Sequence, residues 1–118
     1  MLTFVWVAVG GAAGSVARHL VAGGFNGRFH PWGTVLVNVV GSLALGILLG
    51  RWGLAVESPA RIGTTVGLLG GFTTFSTFSM DTVRLWENGD AGLALITVIL
   101  SIGLGLTAAV VGVAVGRA

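Results

Sequence analysis

GGFTTFSTFS, Gly70 to Ser79, sets hydroxyls and phenylalanines in dense alternation inside an otherwise apolar stretch. Such a run has no place facing lipid, because every hydroxyl and every backbone group there needs a hydrogen-bond partner. It reads instead as the lining of a protein-buried path or cavity at membrane depth, and so as the functional centre of the chain. It is also poorly helical. Gly70-Gly71 precedes Thr73-Thr74, and glycine pairs beside β-branched residues weaken a helix. Either this is a glycine kink that serves packing, or it is a break that frees backbone carbonyls at the bilayer midplane, where they coordinate a cation.

The surrounding composition supports a membrane setting. Of 118 residues, 54% are hydrophobic and only 8% charged, against about 25% charged in a soluble domain; the mean hydropathy is +0.98. A membrane helix takes about 20 mostly apolar residues, so the chain has room for four with short connections, forming a single transmembrane domain over residues 1–118. The formal charge of +2 arises from arginines placed singly, which excludes a basic nucleic-acid-binding stripe. With no cysteine there is no disulfide framework or thiolate metal site. His19 and His30 are too far apart for a helical metal pair. The N-terminal MLTFVWVAVGGAAG lacks a positive n-region and reads as a retained helix, not a cleaved signal.

Four apolar segments are predicted. The first runs from Leu2 to Ala22 and is followed by a hinge, GGFNGRFHP, of turn-forming residues. The second runs from Trp32 to Leu49 and ends at Arg51-Trp52. The third follows Pro59-Ala60-Arg61 and reaches Val83; a linker from Arg84 to Asp90 leads to the fourth, which extends to Gly116. Trp6, Trp32, Trp52 and Trp86 fall near predicted helix ends, as interfacial belts do. Glycines recur four apart in all four segments: Gly10 and Gly14; Gly46 and Gly50; Gly63, Gly67 and Gly71; Gly112 and Gly116. This spacing lets backbones approach closely in lipid and predicts a tightly packed bundle.

Charge gives no orientation. With both termini on one side, that side holds Arg51, Arg61 and Arg117, and the other holds Arg28 and Arg84, plus Arg18 if it snorkels out. The positive-inside bias is therefore balanced. Either other cues set the insertion, or copies insert both ways and pair antiparallel.

In the second segment Thr34, Asn38 and Ser42 are four apart and share a helix face. Asn38 reads equally as interhelical glue or as pore lining. Phe75 and Phe78 point from nearly one face, and a ring edge carries partial positive charge. With donors from Asn38, Ser76, Thr77 and Ser79, they suit an anion that has shed its water. No intramembrane carboxylate dominates, which disfavours a proton-coupled cation exchanger.

At this point the chain resembles the CrcB/Fluc family of bacterial fluoride channels over essentially its full length. The motifs are GGAAGSVAR (Gly10 to Arg18), GTVLVNVVGS (Gly33 to Ser42) and GGFTTFSTFS (Gly70 to Ser79). The resemblance implies an all-α membrane protein of four transmembrane helices, the third broken at mid-membrane. It further implies an antiparallel, dual-topology homodimer with two fluoride pathways. Phe75 and Phe78 match the ion-contacting phenylalanines and Asn38 the pore asparagine, with Thr34 on its face. Ser76, Thr77 and Ser79 match the polar track of the third helix. Gly70 and Thr73 match the positions whose carbonyls hold a structural sodium ion at the dimer interface. Arg18 falls near an aqueous vestibule, and Asp81 stands where relatives often carry glutamate. Some members carry a fourth-helix tyrosine near the pore; this chain has no tyrosine, and Thr97 and Ser101, four apart, are the candidate replacements.

The sequence thus predicts a passive fluoride-export channel, multi-pass in the inner membrane and solvated by the bilayer, with no nucleic-acid partner and no catalysed reaction. One rival is a small multidrug-type transporter, but such exchangers use a carboxylate in the first helix and Leu2 to Ala22 contains no acid. A non-transporting structural subunit would explain the glycine spacing and leave the hydroxyl–phenylalanine run without purpose.

Overall fold

Runs of Leu, Val, Ile and Ala without internal proline favour helix, and in lipid an α-helix satisfies every backbone group within its own segment. The computed structural model describes residues 1–26, 30–53, 55 and 57–118, and every regular element among them is helical. These are α1 (Leu2–Phe25), α2 (Trp32–Trp52), α3 (Pro59–Ile62), a π-helical segment (Gly63–Leu69), α4 (Gly70–Phe72), α5 (Phe75–Glu87) and α6 (Ala91–Arg117). Among them α1, α2 and α6 are long and apolar enough to cross a membrane, with mean hydropathies of 1.3, 2.0 and 2.5. The third predicted segment is the composite run from α3 to α5.

Two helix ends lie beyond their predicted positions. Gly23, Gly24 and Phe25 continue α1 instead of opening a hinge, and Asn26 N–H closes the helix on Ala22 O at 2.7 Å. Arg84 to Glu87 continue α5 instead of forming a linker. Turn propensity gives way in both places because each added residue satisfies one more backbone pair. The α5–α6 connection shrinks to Asn88-Gly89-Asp90. Gly89 adopts φ 81°, a left-handed conformation that side chains resist, and Asp90 Oδ1 caps α6 by accepting from Leu93 N–H at 3.3 Å. Arg28, in the predicted hinge, lies outside the described residues.

The composite run opens with Pro59 in the first turn of α3, where its missing N–H costs nothing. It then widens into the π segment. There Thr64 and Thr65 turn their hydroxyls back, donating to Ala60 O and Arg61 O at 2.9 Å each. Threonine hydroxyls thus supplement the carbonyls where the ordinary helical ladder changes pitch.

The predicted glycines form two seams. On one, Gly10 and Gly14 of α1 meet the backbone of Gly63 and Leu68, while Gly67 and Gly71 face α1. A Cβ at Gly67 would stand 2.7 Å from Val7 O, and one at Gly71 2.8 Å from Gly11 O. On the other, Gly46 and Gly50 of α2 seat against Ala109 and Val113 of α6, while Gly112 and Gly116 seat against Leu43 and Ile47. Among the described residues, the α2–α6 pair forms the most extensive interface between any two single helices. Backbone meets backbone along both seams, as small residues permit where no hydrophobic force drives helices together.

This packing can be tested at positions of opposite environment. Gly112→Val drives a branched side chain into the α2 backbone and should cost about 3 kcal/mol, lowering the unfolding temperature in detergent. Gly92→Ala, with open space around its Cβ, should leave that temperature unchanged or raise it slightly. Equal unfolding temperatures for the wild type and Gly112→Val would refute the seam.

Candidate functional site

The site is built around two extended residues. Thr73 (φ −85°, ψ 158°) and Thr74 (φ −152°, ψ 125°) separate α4 from α5. In a continuous helix Thr74 N–H would donate to Gly70 O; here it donates to Asn38 Oδ1 at 2.7 Å. Asn38 Nδ2 in turn donates to Thr74 O at 2.9 Å. One side-chain amide of α2 therefore satisfies both groups of one residue, as a neighbouring strand would. Thr74 then caps α5, its Oγ1 accepting from Thr77 N–H at 3.2 Å. Thr77 N–H is thereby diverted from Thr73 O. The carbonyls of Gly70 and Thr73 both lose their ordinary helical donors.

Two concavities meet at Thr74. The first, about 290 Å³, is lined by Ser15, Arg18, His19, Asn26, Thr34 and Thr77 among others. The second, about 270 Å³, is lined by Asn38, Ser42, Thr73, Phe75, Phe78 and Ser101, with small and apolar neighbours. Thr74 lines both. The first carries the cationic Arg18. Among the described residues, no ionisable side chain lines the second.

The predicted residues divide between these spaces. Asn38, Thr73, Phe75, Phe78 and Ser101 converge on the second, where the Phe75 and Phe78 rings lie 5.7 Å apart at 53°. Phe75 remains 79% exposed. Arg18, Thr34 and Thr77 converge on the first. Thr34 is fully buried and its proton is committed, since Oγ1 donates to Asp81 Oδ2 at 3.0 Å. Asp81 is held between Thr34 and Arg84, whose guanidinium lies 3.9 Å away. Ser79 donates to Phe75 O at 2.9 Å, turning its proton onto its own helix. Thr97 Oγ1 and Ser101 Oγ are buried without a hydrogen-bond partner among the described residues. Thr97 lines neither concavity, Ser76 is exposed on α5, and Gly70 is exposed on α4.

Sequence reasoning missed Thr74 and Asn26. Thr74 had a signal: a threonine directly before a helix restart is a preferred N-cap. Asn26 joins the end of α1 to the start of α2, accepting from Thr34 N–H at 3.1 Å and donating to Thr34 Oγ1 at 3.4 Å. Its signal was weaker, an asparagine closing a helix ahead of a turn.

Removing the amide should expose its contribution. Asn38→Ala leaves the Thr74 N–H and C=O unpaired, at about 1–3 kcal/mol for each buried group. We expect a lower unfolding temperature and loss of hydrogen-exchange protection at the Thr74 amide, with partial protection in Asn38→Ser. A fully protected Thr74 amide in Asn38→Ala would show that another group supports the extended segment.

Comparison with known proteins bears on the same residues. The family described as CrcB-like protein, Camphor Resistance (CrcB), matches residues 5–113. A Geobacter sulfurreducens protein named fluoride-specific ion channel FluC is 42% identical, the match covering 99% of this chain and 98% of that protein. A Nitrobacter winogradskyi protein of the same name is 48% identical, over 94% and 92% of the two chains. One from Symbiobacterium thermophilum, named fluoride-specific ion channel FluC 1, is 46% identical over 98% of each. With the match spanning the extended Thr73-Thr74 segment and both concavities, this chain belongs to the CrcB family.

Proposed function

We propose that the protein is a fluoride-selective channel that passively exports fluoride from the cytoplasm across the inner membrane and so confers fluoride resistance. The observation that carries this reading is the second concavity: hydroxyls, one amide and two phenylalanine rings, with no ionisable side chain. Uncharged donors and positive ring edges can replace the water shed by a small anion without holding it too tightly to leave. A carboxylate-driven exchanger would need an acid there. The relatives named as fluoride-specific ion channels supply the identity of the anion.

Roles follow from which protons are free. Asn38 spends one amide proton on Thr74 O and keeps a second. Ser101, which lines the second concavity, has no hydrogen-bond partner among the described residues and is the fourth-helix donor in place of a tyrosine; the Thr97 hydroxyl, also without a partner there, lies outside both concavities. Phe75 and Phe78 offer ring edges, Ser76 and Thr77 continue the polar track, and Arg18 draws anions into the first concavity. Thr34 and Ser79, whose protons are committed, shape the path and accept hydrogen bonds.

The working unit is an antiparallel, dual-topology homodimer in which the run from α3 to α5 crosses the membrane as a broken helix. Support comes from the exposure of Phe75, Ser76, Thr77 and Gly70 in a single copy. Hydroxyls on a lipid-facing surface would lack partners, and a second copy covers them. A structural sodium ion fits the same face. The Gly70 and Thr73 carbonyls, their usual donors diverted, are neutral oxygen ligands of the kind hard cations take. Bound there, sodium would supply a fixed positive charge at the interface.

Fluoride efflux from liposomes tests the channel reading. Wild type should pass fluoride and exclude chloride, and Phe78→Ile, which keeps apolar volume and loses the ring edge, should cut fluoride flux at least about tenfold, equivalent to about 1.4 kcal/mol. Undiminished flux through a folded Phe78→Ile protein would remove the ring-edge argument. No fluoride flux in the wild type would favour a transporter of another substrate or a structural subunit. For the dimer, the chain's lack of cysteine allows a single Asn88→Cys in the α5–α6 turn. It should label from both sides of the membrane across a population; labelling from one side alone would exclude dual topology.

A further inference from the structure

Where the α2–α6 seam ends, three arginines lie at one end of the bundle. A Cβ at Gly116 would lie 2.9 Å from Arg51 N, so Arg117 and Arg51 leave neighbouring helices at the same level. The Arg61 guanidinium stacks on the adjacent Trp52 ring, 4.9 Å from its centroid, which leaves its N–H edge free. Among the described residues none of the three has a carboxylate within ion-pair distance; the one such pair is Arg84 with Asp81. Directly beneath Arg117 an apolar groove of about 370 Å³ runs along α6, lined by Ala109, Val110, Val113 and Ala114. Ala109 and Ala114 make it concave, and Val110 on its rim is 70% exposed.

An unpaired guanidinium at the head of an apolar groove is complementary to one kind of membrane component. We propose that this corner is a binding site for an anionic phospholipid, with an acyl chain along the α6 groove and the phosphate on Arg117 and Arg51. Guanidinium forks match phosphate oxygens in pairs, and basic pockets at helix ends recruit anionic headgroups. Trp52 ends α2, and tryptophans at the ends of membrane helices favour the headgroup level; its stack holds Arg61 ready as a third donor. A zwitterionic lipid fits the groove equally but carries its own cation, which competes for the phosphate. The proposal rests on a single copy of the chain and is independent of what the channel conducts.

Thermal unfolding in a neutral detergent tests it. Phosphatidylglycerol should raise the wild-type unfolding temperature by about 4 °C or more above the value with phosphatidylcholine of the same acyl chains. The double variant Arg51→Gln/Arg117→Gln should lose most of that difference, as should Ala114→Trp, which fills the groove. Arg84→Gln, at a different site, should retain it. Equal stabilisation by the two lipids, or an undiminished shift in the double variant, would overturn the proposal. Equal protection by inorganic phosphate would overturn it too, because the groove would then contribute nothing. If phosphatidylglycerol has no effect while Ala114→Trp dissociates the protein in sedimentation, the groove belongs to a second copy and the lipid site is refuted.

Discussion

A buried residue that leaves the helix loses its ladder partners, so its backbone groups have to be met by another part of the protein. Asn38 provides that meeting for Thr74, accepting from its N–H and donating to its C=O. Because the amide does both, the chain can run extended for two residues without an orphaned peptide. The other features of the site follow from this. α5 restarts on Thr74, the Phe75 and Phe78 rings swing to one side of the restart, and the two concavities come to share a wall. The interhelical bonds of Asn38 hold the extended backbone, and the same residue lines the second concavity.

The clamp works only if α2 is held at a fixed distance from the composite run, and glycine fixes that distance. The α1 seam carries the π segment and α4, while the α2–α6 seam holds the helix that bears Asn38. Rigid backbone contact on both sides leaves the interrupted stretch little freedom to drift. Thr73 Cγ2 occupies the place a side chain at Gly41 would take, so even the rotamer beside the clamp depends on a missing Cβ. Precision at the site is therefore bought by absent side chains.

Much of this was legible in the sequence, and what was missed has identifiable causes. Hydroxyls and a glycine pair set among phenylalanines in an apolar chain marked the stretch where the helix is interrupted, because both weaken a continuous helix. Glycines four apart pointed to close seams because only backbone contact makes that spacing useful. The helix ends at Phe25 and Glu87 were underestimated, since Gly23 and Gly24 suggest a turn and the stretch from Arg84 a linker, and tertiary context overrides both. The π segment escaped because a pattern of Gly, Thr and Leu reads as ordinary helix unless hydroxyl-to-carbonyl bonds such as those of Thr64 and Thr65 are known. The pairing of Asn38 with Thr74 bridges distant parts of the chain, and no local periodicity announces it.

The α2–α6 seam also dictates an order of assembly. α2 enters the bilayer early in synthesis, yet the helix against which Gly46 and Gly50 pack is made after the other described helices. Until α6 arrives, α2 stands in lipid with its small-residue groove open, and Asn38 has only the composite run to hold. Secondary structure therefore precedes packing, as separately stable helices allow, and the final seam closes over a bundle already inserted. A nascent chain stalled before α6 would already hold its other helices and still be unfinished. Quality control would have to recognise it by an exposed glycine groove, because no unfolded segment would mark it.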